Sequence, residues 1–424
     1  MATILWGKVY YQDTYAGRLQ QEPGGRCSFT YDPSYLESGS LNCPAISFLL
    51  PLGSQPITCE SGLHPFFDNL IAEGWLQNAQ MRALKVNPKD RFSLLLGFGH
   101  DLAGAVSVVD PEPRQSKILE HTDAVTEAVP LSRASLSGVQ RKLLMVKEGK
   151  TYRPVRGNEL STHIAKFPSD KLQDILELEY LTMKAVSALL PDDVVAKTEI
   201  SDIPLLQQPA LIVERFDRKI VSKTAEPKRL HFEEFNQLLG RFSGDDKYDG
   251  SYEDMGQFIC HTPGCLKSEA ARLYERILAC LLVGNTDAHF KNFAMFHTRD
   301  GLRLTPSYDL VAAATYKQYR TIALGLGGTR DLDIGLLKEK QLINLAQGFE
   351  LNDKTITNSV EAIGARLEIA KSTIAASEIG TSILKNQLID MMEKRWNGSF
   401  TSIGQLLSKR QSKGGNRKKL LKKD

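Results

Sequence analysis

The chain has 424 residues, 42% hydrophobic and 24% charged, with 53 basic against 50 acidic side chains for a net charge of +3. Such a composition excludes a disordered or collagen-like chain, and the length allows roughly two to three domains with a large core. No stretch approaches the roughly 18 apolar residues of a membrane helix and the start lacks a cleavable-signal layout, so a cytoplasmic protein with no membrane partner is expected.

In chain order, residues 1–108 alternate short apolar runs with Gly and Pro and read as a separate segment. They end in Asp110-Pro-Glu-Pro113-Arg-Gln-Ser-Lys117, a polar, Pro-containing linker. Residues 109–228 are strand-rich. Ser161–Pro168 is an alternating apolar run ended by Pro, Gln173–Leu190 has helical spacing, and Pro209–Arg218 reads as a further strand. Residues 229–400 are mostly helical, with segments predicted at 231–240, 268–283, 336–350, 353–376 and 380–396. From Lys409 to Asp424 eight basic residues face one acid, so 401–424 reads as a basic, disordered tail, either a solubilising segment or one that touches phosphate backbones weakly. Of the six cysteines, only Cys260-His261-x₃-Cys265 has any metal flavour, and it lacks a second ligand pair.

The chemistry concentrates in Gly284-Asn285-Thr286-Asp287-Ala288-His289-Phe290-Lys291-Asn292, followed after the turn Arg299-Asp300-Gly301 by Thr305-Pro306-Ser307-Tyr308-Asp309. Asn292 lies five positions after Asp287, and Asp309 lies 17 beyond Asn292, the layout of a protein-kinase active site. Phosphoryl transfer needs positioning and charge neutralisation above all. A carboxylate must orient the acceptor hydroxyl, while an amide and a second carboxylate hold Mg²⁺ on the phosphates of ATP. Asp287 fits the first role, and Asn292 and Asp309 fit the metal roles. Lys166 then supplies the nucleotide lysine, and Glu179, 13 positions on, its candidate partner. Pro209–Arg218 is the expected hinge, with Phe216 against the adenine ring. No G-x-G-x-x-G precedes Lys166 and no His-Arg precedes Asp287, which argues against an ordinary eukaryotic-type kinase.

The phosphate-loop position holds Ser135-Leu-Ser137-Gly138-Val139-Gln140-Arg141-Lys142. With His163-Ile-x-Lys166-x-Pro168, Val213-Glu214-Arg215-Phe216-Asp217-Arg218, Thr286-Asp287-x-His289-x-Lys291-Asn292 and Leu304-Thr305-Pro306-x-Tyr308-Asp309, it resembles the HipA family of serine/threonine kinases, the toxin half of bacterial HipA/HipB-type modules. The first hundred residues are similar too, through Phe66-Phe67-Asp68-Asn69-Leu70 and Phe98-Gly99-x-Asp101. The resemblance implies an α+β, two-lobed protein-kinase-like fold with a strand-rich N-lobe, a mostly helical C-lobe and an N-terminal accessory α/β subdomain. It implies ATP and Mg²⁺ as cofactors and Asp287 as the catalytic residue. Nucleotide contacts are implied at Ser137, Gly138, Val139, Gln140, Arg141, Lys142, Lys166, Glu214, Arg215, Phe216, His289, Phe290, Lys291, Asn292, Tyr308, Asp309, Leu310 and Val311. Autophosphorylation is implied at Ser135 or Ser137. The implied partners are a helix-turn-helix antitoxin and, through it, operator DNA, and the implied substrate is a translation-related protein such as an aminoacyl-tRNA synthetase. This chain departs from the family pattern with Ser137 where Ala is common and Arg141 where Glu is common. A small-molecule kinase and a non-catalytic subunit of a DNA-binding repressor complex stay open as alternatives.

Overall fold

The computed structural model describes residues 4–38, 44–113, 117, 122–136, 138, 140–221, 226–404 and 406–407. The chain forms two compact units, the first of residues 1–176, 196–247 and 294–297, the second of 177–195, 248–293 and 298–424.

The first unit holds two antiparallel five-stranded sheets. In one, strands β1 (Leu5–Tyr11), β2 (Thr14–Gln21), β3 (Cys27–Tyr31), β4 (Ile57–Cys59) and β5 (Val106–Val109) run in the order β4-β3-β2-β1-β5. Its core face carries Val9, Leu19, Phe29 and Val108 against Phe66, Phe67, Phe92 and Leu95. The other comprises β6 (Lys142–Glu148), β7 (Thr151–Pro154), β8 (His163–Lys166), β9 (Thr198–Ile203) and β10 (Gln208–Glu214) in the order β7-β6-β8-β10-β9. Glu148 pairs with Thr151, so β6 and β7 are joined by the two residues Gly149-Lys150, and Gly149 takes the positive φ (64°) that such a tight hairpin needs. Leu143, Met145, Ala165, Ala210 and Ile212 bury one face of this sheet against the helix Gly74–Leu84 and Val125.

Pro209–Arg218 was expected to be one strand, but the strand stops at Glu214. Arg215, Asp217 and Arg218 leave the ladder for a buried charge network, and the chain resumes in the short pair β11 (Arg218–Lys219) and β12 (Lys228–Arg229). Residues 231–240 were expected to be helical. They form β13 (Phe232–Glu234), which pairs antiparallel with β14 (Ala294–Thr298), and only then a four-residue helix, Phe235–Leu238. His231-Phe-Glu-Glu-Phe satisfies both periodicities, and the pairing with β14 decides between them.

In the second unit the helix Ser268–Val283 runs through the centre, packed by helices Tyr252–His261, Asp353–Ala376 and Ser382–Arg395. The four long helices expected at 268–283, 336–350, 353–376 and 380–396 are present as Ser268–Val283, Glu339–Gly348, Asp353–Ala376 and Ser382–Arg395. The helix expected at 173–190 spans Ile175–Leu189, and Asp174 before it has a left-handed φ of 55°. From Glu177 onward this helix belongs to the second unit, whereas its sequence position groups it with the nucleotide-binding strands. β15 (Gly301–Leu304) bridges to Cys265. The expected disordered tail starts too early at 401, because Ile403 and Leu407 are buried in short helical turns. Residues 408–424 lie outside the described residues. No helix among the described residues is long and apolar enough to cross a membrane.

Candidate active site

In the second unit, the helix Ser268–Val283 delivers the catalytic loop. Gly284 ends that helix in the left-handed region (φ 84°), its amide donating to the Cys280 and Leu281 carbonyls while the Asn285 amide returns to Cys280 at 2.8 Å. A side chain there would be strained and would also meet the Arg395 guanidinium. The next residues are clamped. The Thr286 hydroxyl donates to the Tyr319 carbonyl at 2.6 Å, the Ala323 amide donates to the Thr286 carbonyl at 2.8 Å, and the Tyr252 hydroxyl donates to the Ala288 carbonyl at 2.9 Å. Between the buried Thr286 and Ala288, the Asp287 side chain is exposed. A solvent-facing carboxylate on pinned backbone is what a general base needs, because its position costs no reorganisation when the acceptor arrives.

Asn292 and Asp309 meet directly. The Asn292 amide Nδ2 donates to Asp309 Oδ2 at 2.9 Å, and Asn292 Oδ1 accepts from the His289 amide at 3.1 Å, which fixes the sense of the side-chain amide. Asp309 has a φ of 56°, a strained conformation for a non-glycine residue, on the order of 1–3 kcal/mol. The segment carrying it is tied down on both sides. The Ser307 amide donates to the Val194 carbonyl at 2.7 Å, the Arg276 guanidinium donates to the Thr305 carbonyl at 2.8 Å, and the Ala312 amide donates to the Thr182 hydroxyl at 3.1 Å. Asp193 gathers Arg276, Arg272 and the Ser307 hydroxyl. Burial alone would raise its carboxyl, but the Arg276 charge and these hydrogen bonds hold it below the usual carboxylate range. The Tyr308 hydroxyl donates to the Lys291 carbonyl at 2.8 Å, and His289, Phe290, Lys291 and Leu310 are buried. The Asp309 carboxylate and the second lone pair of Asn292 Oδ1, the first being used by the His289 amide, are hard oxygen donors of the type that suits Mg²⁺.

A further contact comes from Lys247-Tyr-Asp-Gly, a candidate cleft-lining segment that the sequence pattern alone does not single out. The Tyr248 hydroxyl donates to Asp287 Oδ1 at 3.0 Å and its ring lies edge-on to His289 at 5.0 Å. Tyr248 precedes Asp287 by 39 positions and belongs to no recognisable motif. Tyr248→Phe removes this bond without changing shape, so it is expected to lower kcat by about 3- to 10-fold, the loss of roughly one hydrogen bond, and leave the melting temperature unchanged. A kcat and pH–rate profile identical to wild type would show that the contact does not act on the base.

In the first unit, Lys142 on β6 stands directly opposite Lys166 on β8, so both side chains leave the same face of the sheet, and each residue is only 5% exposed. Gly138 takes φ 116°, and a Cβ added there would collide with Lys142 Nζ, so this lysine reaches back under its own loop. The two lysines and the loop are the chemistry of a phosphate cradle. Gly138→Ala is expected to raise KM for ATP at least tenfold by displacing Lys142 Nζ, and an unchanged KM would remove the loop from nucleotide binding.

Several expected nucleotide contacts have other partners. The Arg215 guanidinium binds Asp217, Asp101 and Ser161, its amide donates to the Thr162 carbonyl at 2.9 Å and its carbonyl accepts from the Arg218 amide. Phe216 lies against Phe232 and Phe296, with ring centroids 5.1 and 5.7 Å away, and the Glu214 carboxylate is exposed beside Lys197. Arg141 pairs with Asp123 and lies over Trp75. Glu179 is buried rather than solvated. Ser135 is buried, its hydroxyl accepting from the Ala72 amide at 2.8 Å and its own amide donating to the Asp101 carbonyl at 3.1 Å. Ser137 and Val139 lie outside the described residues. In the Cys260 segment, the Cys260 thiol donates to the Phe349 carbonyl and His261 meets Glu350, so the side chains of this cluster face different partners.

Comparison with known proteins identifies the family and the fold. The family model described as the HipA N-terminal domain matches residues 7–109, and that of the HipA-like C-terminal domain matches residues 134–371. The chain is 30% identical over 397 residues to a putative kinase, Y4dM, of Sinorhizobium fredii, covering 88% of this chain and 93% of that one. It is 27% identical over 334 residues to the serine/threonine-protein kinase toxin HipA of Shewanella oneidensis, covering 71% and 75%. Among solved structures, a chain of the Shewanella oneidensis HipA, HipB and operator DNA complex superposes with a TM-score of 0.74 at 22% identity, covering 94% of this chain and 99% of that one. The fold is the two-lobed, kinase-like α+β fold.

Proposed function

This chain belongs to the HipA family, and we propose that it is an ATP-dependent serine/threonine protein kinase that acts as the toxin of a toxin–antitoxin module. The observation that carries the reading is the catalytic constellation: Asp287 exposed on clamped backbone, and Asn292 held 2.9 Å from a strained Asp309. Asp287 accepts the proton of a substrate serine hydroxyl and orients that oxygen for in-line attack. Asn292 and Asp309 would hold Mg²⁺, which when bound would neutralise charge on the phosphates of ATP. Lys142 and Lys166 take up phosphate charge, and backbone of the Glu214–Phe216 turn reads the adenine edge.

Ser135 or Ser137 is the acceptor for self-modification in this reading, and of the two Ser135 lies within the described residues. A phosphoserine there, carrying roughly −1.5 to −2 charges, does not fit the buried pocket now occupied by its hydroxyl, so the segment leaves its place and the phosphate loop is lost. By analogy with the relatives, the partner is a helix-turn-helix antitoxin with its operator DNA, and the substrate is a translation-related protein such as an aminoacyl-tRNA synthetase. The site of action is the cytoplasm.

Purified wild type and Asp287→Asn, incubated with ATP and Mg²⁺ and mapped by mass spectrometry, test the reading. Phosphate on Ser135 or Ser137 in wild type alone supports it. ATP turnover without protein phosphorylation, even with translation proteins added, points to a small-molecule kinase, and absence of turnover in every condition points to a silent repressor subunit.

A further inference from the structure

His231, Glu233 and His297 take no part in the chemistry above, and all three belong to the first unit. In the β13–β14 pair Phe232 stands opposite Phe296 and Glu233 opposite Met295, and the His297 amide donates to the His231 carbonyl at 3.0 Å. Side chains alternate between faces, so His231 and Glu233 share one face with His297 across from His231. Phe232 and Phe296 point the other way, towards Phe216. A donor atom from each of the three residues lies within 4.8 Å of the others. His297 Nε2 is 2.8 Å from Glu233 Oε1, and the two imidazole centroids are 4.7 Å apart.

The surroundings are those of a built site. Glu233 is fully buried, and its carboxylate is oriented by the Ser47 hydroxyl and the Phe48 amide, each at 2.7 Å. His231 is 4% exposed, its Nε2 has no hydrogen-bond partner, and its Nδ1 receives only a long 3.4 Å approach from the Ala105 amide. A contact of that length fixes the tautomer weakly and leaves the ring open to a ligand. The His297 side chain keeps 20% exposure, which gives an ion a way in.

We propose that His231, Glu233 and His297 form a binding site for a divalent transition-metal ion, with Zn²⁺ the best match. Two imidazoles and one carboxylate are a borderline-soft donor set, which selects against Mg²⁺ and Ca²⁺. Tetrahedral Zn²⁺ with bonds of about 2.0–2.1 Å needs donors roughly 3.3 Å apart, and the observed spacings bracket that value. Three protein ligands leave the fourth position to water. Ser47 and Phe48 supply the outer hydrogen bonds that orient a ligating carboxylate. The ion ties β13 and β14 to the segment around Ser47 and so stiffens the first unit, independently of whether the chain is a kinase.

The test is titration of chelator-stripped full-length protein with ZnCl₂ by calorimetry, without nucleotide and with excess Mg²⁺. About one tight equivalent per chain is expected, with a rise in melting temperature. Glu233→Gln and His297→Gln should each weaken binding by at least 100-fold, and Ser47→Ala, which keeps all three ligands, by about 10- to 100-fold. A Cys260→Ser, Cys265→Ser double variant should bind as wild type. No saturable equivalent, or affinity unchanged in the Glu233, His297 and Ser47 variants, overturns the proposal. If the ligand variants do not fold, X-ray absorption of the Co²⁺-loaded wild type decides, since a shell without imidazole scattering overturns it.

Discussion

Asp287→Asn is expected to lower kcat for phosphoryl transfer by roughly 10²–10⁴-fold, the usual contribution of a positioned base, with KM for ATP and the melting temperature close to wild type. The reason lies in how the residue is held. Its backbone neighbours are buried and hydrogen-bonded to Tyr319, Ala323 and Tyr252, so the loop does not depend on the carboxylate for its shape. The side chain itself is exposed, and an isosteric amide there changes stability little. What the amide cannot do is accept a proton from a serine hydroxyl. Asn292→Ala differs in kind, because it removes the partner of Asp309 and should raise the Mg²⁺ requirement as well as lower kcat. Steady-state kinetics over a range of ATP and Mg²⁺ concentrations separate the two. An Asp287→Asn enzyme within about tenfold of wild-type kcat would mean that the base lies elsewhere. A rise in KM alone would make Asp287 a binding residue.

How far the sequence reading reached differs from element to element, for physical reasons. The helix Asp353–Ala376 was legible at both ends, because Asn352 caps it through a bond to the Thr355 amide and the apolar spacing persists over its whole length. The juxtaposition of Asn292 and Asp309 was legible because their spacing around a hairpin turn brings them together, and they do meet. Long-range pairings were not. Nothing in His231-Phe-Glu-Glu announces that β14, more than sixty positions later, will draw it into a strand. The hydroxyl of Tyr248 reaches Asp287 only through the fold. The resemblance implies nucleotide contacts at Glu214–Phe216 but carries no information on side-chain direction, and the guanidinium groups of Arg215 and Arg218 face inward, towards a carboxylate at position 101.

That carboxylate is expected to carry a large stability effect. Asp101 is 1% exposed and accepts from Arg215, Arg218 and the Ser161 amide and hydroxyl, while Asp217 binds the same two guanidinium groups and the Gly104 amide. Two acids and two bases thus neutralise one another inside the first unit, where an uncompensated charge is costly. Asp101→Asn leaves both guanidinium groups buried with one carboxylate between them, and a loss of about 3–5 kcal/mol is expected. The pH dependence follows from the same contacts. Burial alone would raise the Asp101 carboxyl, but Arg215, Arg218 and Ser161 outweigh it and bring its pKa down to about 2. A carboxyl lowered in the folded state adds stability that is fully present above its unfolded pKa near 4. That stability is lost as pH falls from about 4 towards 2. Wild type should therefore lose stability steeply over that window in urea denaturation, and Asp101→Asn, weaker at neutral pH, should show a shallower slope there. Because Arg215 and Arg218 are committed to this network, Asp101→Asn should also leave the KM for ATP of the folded protein within about threefold of wild type. A rise well beyond that, at a temperature where the variant is fully folded, would show that these arginines are shared with the nucleotide and that the network is not purely structural.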